Sequence, residues 1–280
     1  MLRDATAAFD EHYAPGDQLL LIGFSRGAAT ARRFASIIAK STTERLGDVP
    51  PFIYLAVFDT VASFGLPDFD RDNRPKSEFL FENGRSLAPQ VAKALHMVSL
   101  DERRGPFQPT HMNRQRGVVE EVWFAGVHSD VVVGFLKDGL SDVTLRHSLD
   151  WIARELPQVR FDAPSPHMLG AALPEGADYV ISAADVAVAP NPSGKSHASG
   201  NWFTDLAGAT EDRICCVIQD DEPTSVPPLL HWSLAARIRG ELEYRPDPLN
   251  QISFEVLPMQ AGDSIEVFSG YNALLPPGLR

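Results

Sequence analysis

The chain has 280 residues, 44 % of them apolar and 22 % charged, a balance that excludes wholesale disorder and fits one large domain or two small ones. Its 25 basic and 37 acidic residues give a net charge of −12, which argues against general nucleic-acid binding, because that depends on neutralising phosphates. No apolar stretch is long enough to span a bilayer, Met1-Leu2-Arg3-Asp4 does not start a signal peptide, and the adjacent Cys215 and Cys216 form neither a disulfide framework nor a zinc site, so a reducing, cytoplasmic setting is expected.

Leu2 to Tyr13 reads as an amphipathic helix, with Leu2, Ala5, Phe9 and Tyr13 on one side, and Pro15-Gly16 ends it. Gln18 to Phe24 is a continuous apolar run, the pattern of a strand buried on both faces. Arg26 to Lys40 is helical, with Ala28, Ala31, Phe34, Ile37 and Ile38 near one face. Phe52 to Phe58, His96 to Leu100 and Val119 to Val127 are further strands, and Asp142 to Leu156 is a helix. Phe161 to Asn201 is rich in Pro, Ser, Ala and Gly and reads as loops with a short strand or two. Ile214 to Gln219 predicts a strand, Leu230 to Leu242 a helix, and Gln251 to Arg280 a β-rich tail. Strands alternating with helices predict an α/β fold with a mostly parallel sheet. The expected division is a catalytic domain over 1–249 and a β-rich extension over 250–280.

The sequence Gly23-Phe24-Ser25-Arg26-Gly27 is G-x-S-x-G between a buried strand and a helix. In that context it predicts a sharp turn that exposes the Ser25 hydroxyl at the carboxyl end of the sheet. Glycines at 23 and 27 are expected to let the neighbouring backbone pass close. The helix N-terminus favours developing negative charge, and the N–H of Arg26 is the candidate oxyanion donor. Asp59 ends a strand and would sit on the same rim as Ser25, as an acid that orients an imidazole or as a turn-forming Asx residue. His128 ends another strand and is the candidate base, with His231 at a helix start as the alternative base and Asp130 as the alternative acid.

Gly23-Phe24-Ser25-Arg26-Gly27-Ala28-Ala29-Thr30-Ala31-Arg32 resembles the "GFSRGAYTAR" block of a bacterial and fungal α/β-hydrolase family that includes the type VI secretion phospholipase effectors of the first lipase class. Phe58 to Ser63 is similar to its "FDTVAS" block, and His96 to Phe107, containing Leu100-Asp101-Glu102-Arg103-Arg104, to its "LDERR" block. Trp123 to Val131 is similar to "WFPGVHSDV", Gly139-Leu140-Ser141-Asp142 to "GLSD", and His231 to Arg237 with Tyr244-Arg245-Pro246 to a late "HxSxxxR…YRP" block. The resemblance implies an α/β-hydrolase-like sheet flanked by helices, with Ser25 as nucleophile, Asp59 as acid and His128 as base. It further implies hydrolysis of a lipid or other carboxylic ester through an acyl-enzyme, no cofactor, and a secretion-machine or immunity-type partner with export through a contractile injection system.

Two departures carry their own expectations. Val131-Val132-Val133 stands where the family is glycine-rich, so the loop after His128 is expected to be rebuilt and the histidine displaced. Only 24 residues precede Ser25, where family members have an "FDGT"-like strand and more, so the sheet is expected to lack its N-terminal strands and the site its second oxyanion donor. These departures define the alternative function, a catalytically inactive hydrolase relic or interaction module. Three further signals are set aside. Ala189 to Ser196 fits a relaxed phosphate-loop pattern, but its two prolines lack N–H donors and no helix follows. Cys215-Cys216 reads as buried structure, and Asp220-Asp221-Glu222 and Asp68 to Arg74 as solvated loops with no metal-binding spacing.

Overall fold

The computed structural model describes residues 2–47, 49–62, 85–132, 139–162, 182, 185–197, 210–260, 262–276 and 278. The expectations for Asp68 to Arg74, for Val133, and for most of 161–201 lie outside the described residues.

The fold is α/β, with a seven-stranded sheet ordered β1-β2-β3-β4-β7-β8-β9. Its strands are β1 (Leu19–Phe24), β2 (Ile53–Phe58), β3 (Val91–Ser99), β4 (Val119–Phe124), β7 (Leu229–Leu230), β8 (Ser253–Val256) and β9 (Glu266–Ser269). All neighbouring pairs are parallel except β8 with β9. A separate hairpin pairs β5 (Ile218–Gln219) with β6 (Glu222–Pro223). The helices are α1 (Leu2–His12), α2 (Arg26–Leu46), α3 (Leu140–Glu155) and α4 (Trp232–Gly240). The sheet is mostly parallel and flanked by helices, as the alternation of elements predicts, and α/β-hydrolase-like, as the family resemblance implies.

Strand alternation divides the core. Ile53, Leu55 and Val57 of β2 face α2, where they meet Phe34, Ala35 and Ile38, while Ala56 and Phe58 face α3 and meet Trp151 and Ile152. Both faces of β2 are buried, which is why its sequence is continuously apolar rather than alternating. Helix α1 lays Phe9 on the outer side of α2, with Tyr13 stacked on Phe9 and tilted against Phe52. β1 is the terminal strand of the sheet order, and Ile22 on it is 59 % exposed.

Several elements differ from their expected bounds, three of them for evident local reasons. Helix α2 runs past Lys40 to Leu46 through Thr42 and Thr43, which have low helix propensity. Their hydroxyls donate to the carbonyls of Ile38 and Ala39 one turn back, and Gly47, at φ 76°, ends the helix. β3 begins at Val91, five residues before the expected His96, because Gln90 and Val91 already pair with β2. The strand expected over Ile214 to Gln219 contracts to its last two residues. Asp220 and Asp221 then form a two-residue turn with φ 53° and 64°, the hairpin geometry that tolerates Asp. Asp221 is more than a solvated loop residue, since its Oδ1 accepts from Asn113 Nδ2 at 3.0 Å.

The segment after residue 250 joins the central sheet. Phe254 of β8 is fully buried among Leu230, Leu234 and Ile238. Removing so large a buried side chain costs about 3–5 kcal/mol. Phe254→Ala is therefore expected to lower the midpoint of a single cooperative unfolding transition. A separate early transition in urea, with the main one unmoved, would show that the segment unfolds independently.

Candidate active site

The site begins at the turn between β1 and α2. Ser25 occupies the N-cap position of α2 with φ 55° and ψ −123°, a region costly for a residue with a side chain. A serine there ordinarily caps the helix with its hydroxyl, but this one makes no cap bond. Its Oγ instead lies 2.9 Å from His128 Nε2. The turn is held from behind, because the Ser25 N–H donates to Phe58 O and the Ser25 carbonyl accepts from the N–H groups of Ala29 and Val61. Gly23 is required sterically: a Cβ there would meet Gly27 O at 2.6 Å and the backbone of Ala28 at 2.8 Å. Gly27 is not, since a Cβ on it meets nothing within 4 Å among the described residues. Arg26 is the first residue of α2, so its N–H has no acceptor within the helix.

Asp59 follows β2 with φ 40° and is fully buried. His128 Nδ1 is 2.5 Å from Asp59 Oδ2, so the three groups form a continuous relay with the Nδ1–H pointing at the carboxylate. The imidazole lies between two rings, tilted on Phe24 at 4.6 Å and edge-on to Phe107 at 5.0 Å. The carboxylate also accepts the N–H of Ser99 at 3.1 Å and its hydroxyl at 3.2 Å. Arg213 completes the shell, its Nη1 2.6 Å from Oδ1 and its Nη2 2.8 Å from Oδ2. Burial alone would push the Asp59 carboxyl up, but Arg213 and then His128 more than reverse it and hold the group well below the usual carboxylate range.

The His128 loop is pinned by three acidic residues. Asp101 accepts the N–H of Gly126, Glu102 that of His128, and Asp130 that of Val127. Asp101 is fixed by the Tyr244 hydroxyl, and Glu102 by a bidentate pair with Arg104. Gly126, at φ 105°, passes so close that a Cβ would meet Asp130 Cβ at 2.6 Å. Asp130 is therefore a loop anchor whose Oδ1 faces His197 Nδ1 at 2.7 Å, and the structure does not bring it to the imidazole of His128. The expected displacement of His128 does not occur: Val131 is fully buried against Val143 and Trp151, and Val132 has an extended φ of −140°.

His231 is placed away from the relay. It caps α4, accepting the N–H of Ser233 at Nδ1, and stacks on Phe124 at 4.7 Å. Burial, and then His147, push its imidazole well below the ordinary histidine value, as suits a neutral helix cap. The stretch from Ala189 to Ser196, set aside as a phosphate loop, is likewise structural, with the carbonyls of Pro192 and Gly194 accepting from Arg237 Nη1. The three residues that sequence reasoning passed over are Arg213, His96 and Glu121. His96 Nε2 accepts the N–H of Thr60, next to Asp59, so its Nδ1 carries the proton and donates to Glu121 Oε2 at 2.8 Å. Glu121 also accepts from His111 Nδ1 and the Met112 N–H. Burial pushes this carboxyl up, and the two histidines, His111 first, bring it below the usual range. The only sequence signal for these residues was a histidine and an acid inside otherwise apolar strands.

Comparison with known proteins follows from this geometry. The family described as "T6SS, Phospholipase effector Tle1-like, catalytic domain" matches residues 2–45 and 42–155, more than half of the chain. A solved structure titled "Structure of the Tle1 effector bound to the VgrG spike from the Type 6 secretion system" is 29 % identical over 41 % of this chain, with a TM-score of 0.26. The match spans 24 % of that chain, about a quarter of its length. No curated protein matches.

Two outcomes test this geometry. Gly23→Ala is expected to push the turn apart and reduce any Ser25-dependent reactivity at least about 100-fold, the scale on which misplacing reacting groups by about 1 Å acts. Gly27→Ala, with open space around it, is expected to retain that reactivity, and equal loss in both would refute the steric argument. Asp59 and Glu121 are held below their ordinary values in the folded chain, so they stabilise it above about pH 4 and lose that contribution as the pH falls further. Urea midpoints should therefore fall below that pH, and Glu121→Gln should flatten the fall while lowering the midpoint at neutral pH.

Proposed function

Because the chain belongs to the Tle1-like phospholipase effector family, over that family's catalytic domain, we propose that it is a serine hydrolase that cleaves a carboxylic ester of a phospholipid through an acyl-enzyme. The observation that carries this reading is the relay from Ser25 Oγ through His128 to Asp59, built on a turn that gives up its helix cap to present the hydroxyl.

Each residue has a role in the chemistry. Ser25 Oγ attacks the ester carbonyl as its proton passes to His128 Nε2. Asp59 holds Nδ1–H in place, which fixes the tautomer that leaves Nε2 free to accept, and stabilises the imidazolium as it forms. The Arg26 N–H, at the positive end of α2 and without an acceptor in the helix, serves as donor to the developing oxyanion in this reading. The imidazolium then returns its proton to the departing alcohol, leaving Ser25 acylated. Water then attacks the acyl carbonyl as His128 takes its proton, the bond from Ser25 Oγ to the acyl carbon breaks, the imidazolium returns the proton to Oγ, and the acyl group leaves as the acid. The Phe24 and Phe107 rings keep the imidazole oriented through both half-reactions.

The proposal extends to delivery through a type VI secretion machine, with that machine and an immunity-type protein as partners. It is tested by comparing the protein in the supernatant of secretion-competent and secretion-deficient cells. Among the described residues no helix is long and apolar enough to cross a membrane.

A fluorophosphonate probe tests the chemistry. The wild type is expected to be labelled, Ser25→Ala to lose labelling, and His128→Ala to label about 1,000-fold more slowly, within the range over which general-base and triad deletions act. Fatty-acid release from phospholipid vesicles should follow the same order. A folded wild type that stays unlabelled would overturn the reading in favour of an inactive relic or interaction module.

A further inference from the structure

Arg213 is the feature of the site that a Ser-His-Asp relay does not require. Its side chain is fully buried, as is Asp59, and the two form a two-pronged pair. The acid therefore divides its negative charge between two cationic claims: a permanent guanidinium, and the imidazolium that forms only during reaction. The arginine is also fixed independently of Asp59. Its Nη1 donates to the carbonyl and hydroxyl oxygens of Ser99 at 2.6 and 2.7 Å, and its Nη2 to the carbonyl of Phe107 at 2.5 Å. Phe107 is the residue whose ring meets the edge of His128. One side chain thus holds the acid, the strand end after β3, and the backbone of the residue packed on the base.

The charges around the pair are few. Among the described residues, His128 faces Asp59 at Nδ1 and Ser25 at Nε2, and its backbone N–H donates to Glu102, whose charge is matched by Arg104. Asp130, on the same short helical turn, is directed to His197. Arg213 is therefore the one cation that touches the carboxylate directly, in a setting with little water to screen it.

We propose that Arg213 is a positioning residue whose buried charge keeps the Asp59–His128 pair from taking up an extra proton, so that the imidazole serves as a base at lower pH than the pair alone would allow. The inference rests on the serine-hydrolase reading above. The proton balance has the same sign for both placements of the proton. Without Arg213, a proton added to the pair either forms imidazolium beside a carboxylate no longer shared with a guanidinium, or neutralises a buried carboxyl that has lost its largest ionising partner. Either species leaves His128 unable to accept the proton of Ser25 as a ready base, and either is favoured when the guanidinium is removed. Arg213 also weakens the hold of Asp59 on the imidazolium. Its benefit is therefore confined to low and neutral pH and vanishes on the alkaline plateau.

The test is the rate of Ser25-dependent fluorophosphonate labelling across pH 5 to 9.5, for wild type and Arg213→Gln, with circular dichroism to confirm folding. The expected result is an acidic limb displaced upward by about one pH unit or more, hence labelling about ten-fold slower on the limb, with rates converging at alkaline pH. A folded Arg213→Gln protein with labelling reduced equally at every pH, or not reduced, would overturn the proposal and leave Arg213 as a structural strut. Should Arg213→Gln not fold, Arg213→Met takes its place, because it too removes the charge while keeping a long unbranched side chain to fill the space. An upward-shifted limb then supports the proposal, and a uniform change or none overturns it. If the wild type itself shows no Ser25-dependent labelling at any pH, the failure lies in the serine-hydrolase reading.

Discussion

The structure is organised around one demand, the solvation of a fully buried carboxylate at the end of β2. Asp59 has no access to water, and an ion in that position must find its hydrogen bonds and its countercharge within the protein. Five contacts answer it: two from Ser99, two from Arg213 and one from His128. They come from the end of β3, the loop after β4, and an irregular stretch more than 150 positions along the chain. Parallel pairing of β1 to β4 is what makes this convergence available, because it brings the carboxyl ends of all four strands to one rim.

A second layer of buried polar groups supports the first. The N–H groups of Gly126, Val127 and His128 would be left without partners in a tight loop, and Asp101, Asp130 and Glu102 accept one each. This gives the acidic pair in Leu100-Asp101-Glu102-Arg103-Arg104 a physical role, holding the backbone that carries the imidazole. Beneath Asp59, His96 accepts the N–H of Thr60, and Glu121 fixes the tautomer that lets it do so. Arg32 of α2 donates to the carbonyls of Thr110 and His111, and the Thr110 N–H donates to the carbonyl of Thr60, tying the helix that follows Ser25 to the turn that holds Asp59. A buried network of this kind fixes one arrangement of the loops at the expense of alternatives.

Much of this was legible in the sequence, for identifiable reasons. Strand β2 is buried on both faces, so its apolar run stands out, the short apolar run of β1 is legible although that strand is only partly buried, and α2 carries an unambiguous helical stripe. The turn at Ser25 is a short-range feature set by Gly23, which must lack a Cβ, and by the strand and helix on either side. Asp59 and His128 were suggested by a single local property, a polar residue at the end of an apolar strand. By the same property His231 was a competitor, since a helix-start histidine and a strand-end histidine look alike until their neighbours are known. Phe124 and His147 then surround the one, and Ser25 and Asp59 the other.

Local sequence by itself thus determined most of the elements, their order and the conformation of the Ser25 turn, because periodicity, glycine placement and strand–turn–helix context act over a few residues. Only the tertiary structure decided which histidine meets Ser25, that Asp130 anchors a loop rather than meeting the His128 imidazole, and that Arg213 sits on Asp59. Those outcomes depend on charge and hydrogen-bond compensation between segments far apart in the chain. An arginine in an irregular stretch has no pattern that distinguishes a solvated side chain from one buried against a carboxylate. The physical reason is that a buried charge is stable only as a pair, and the pair exists only once the sheet has brought both halves together.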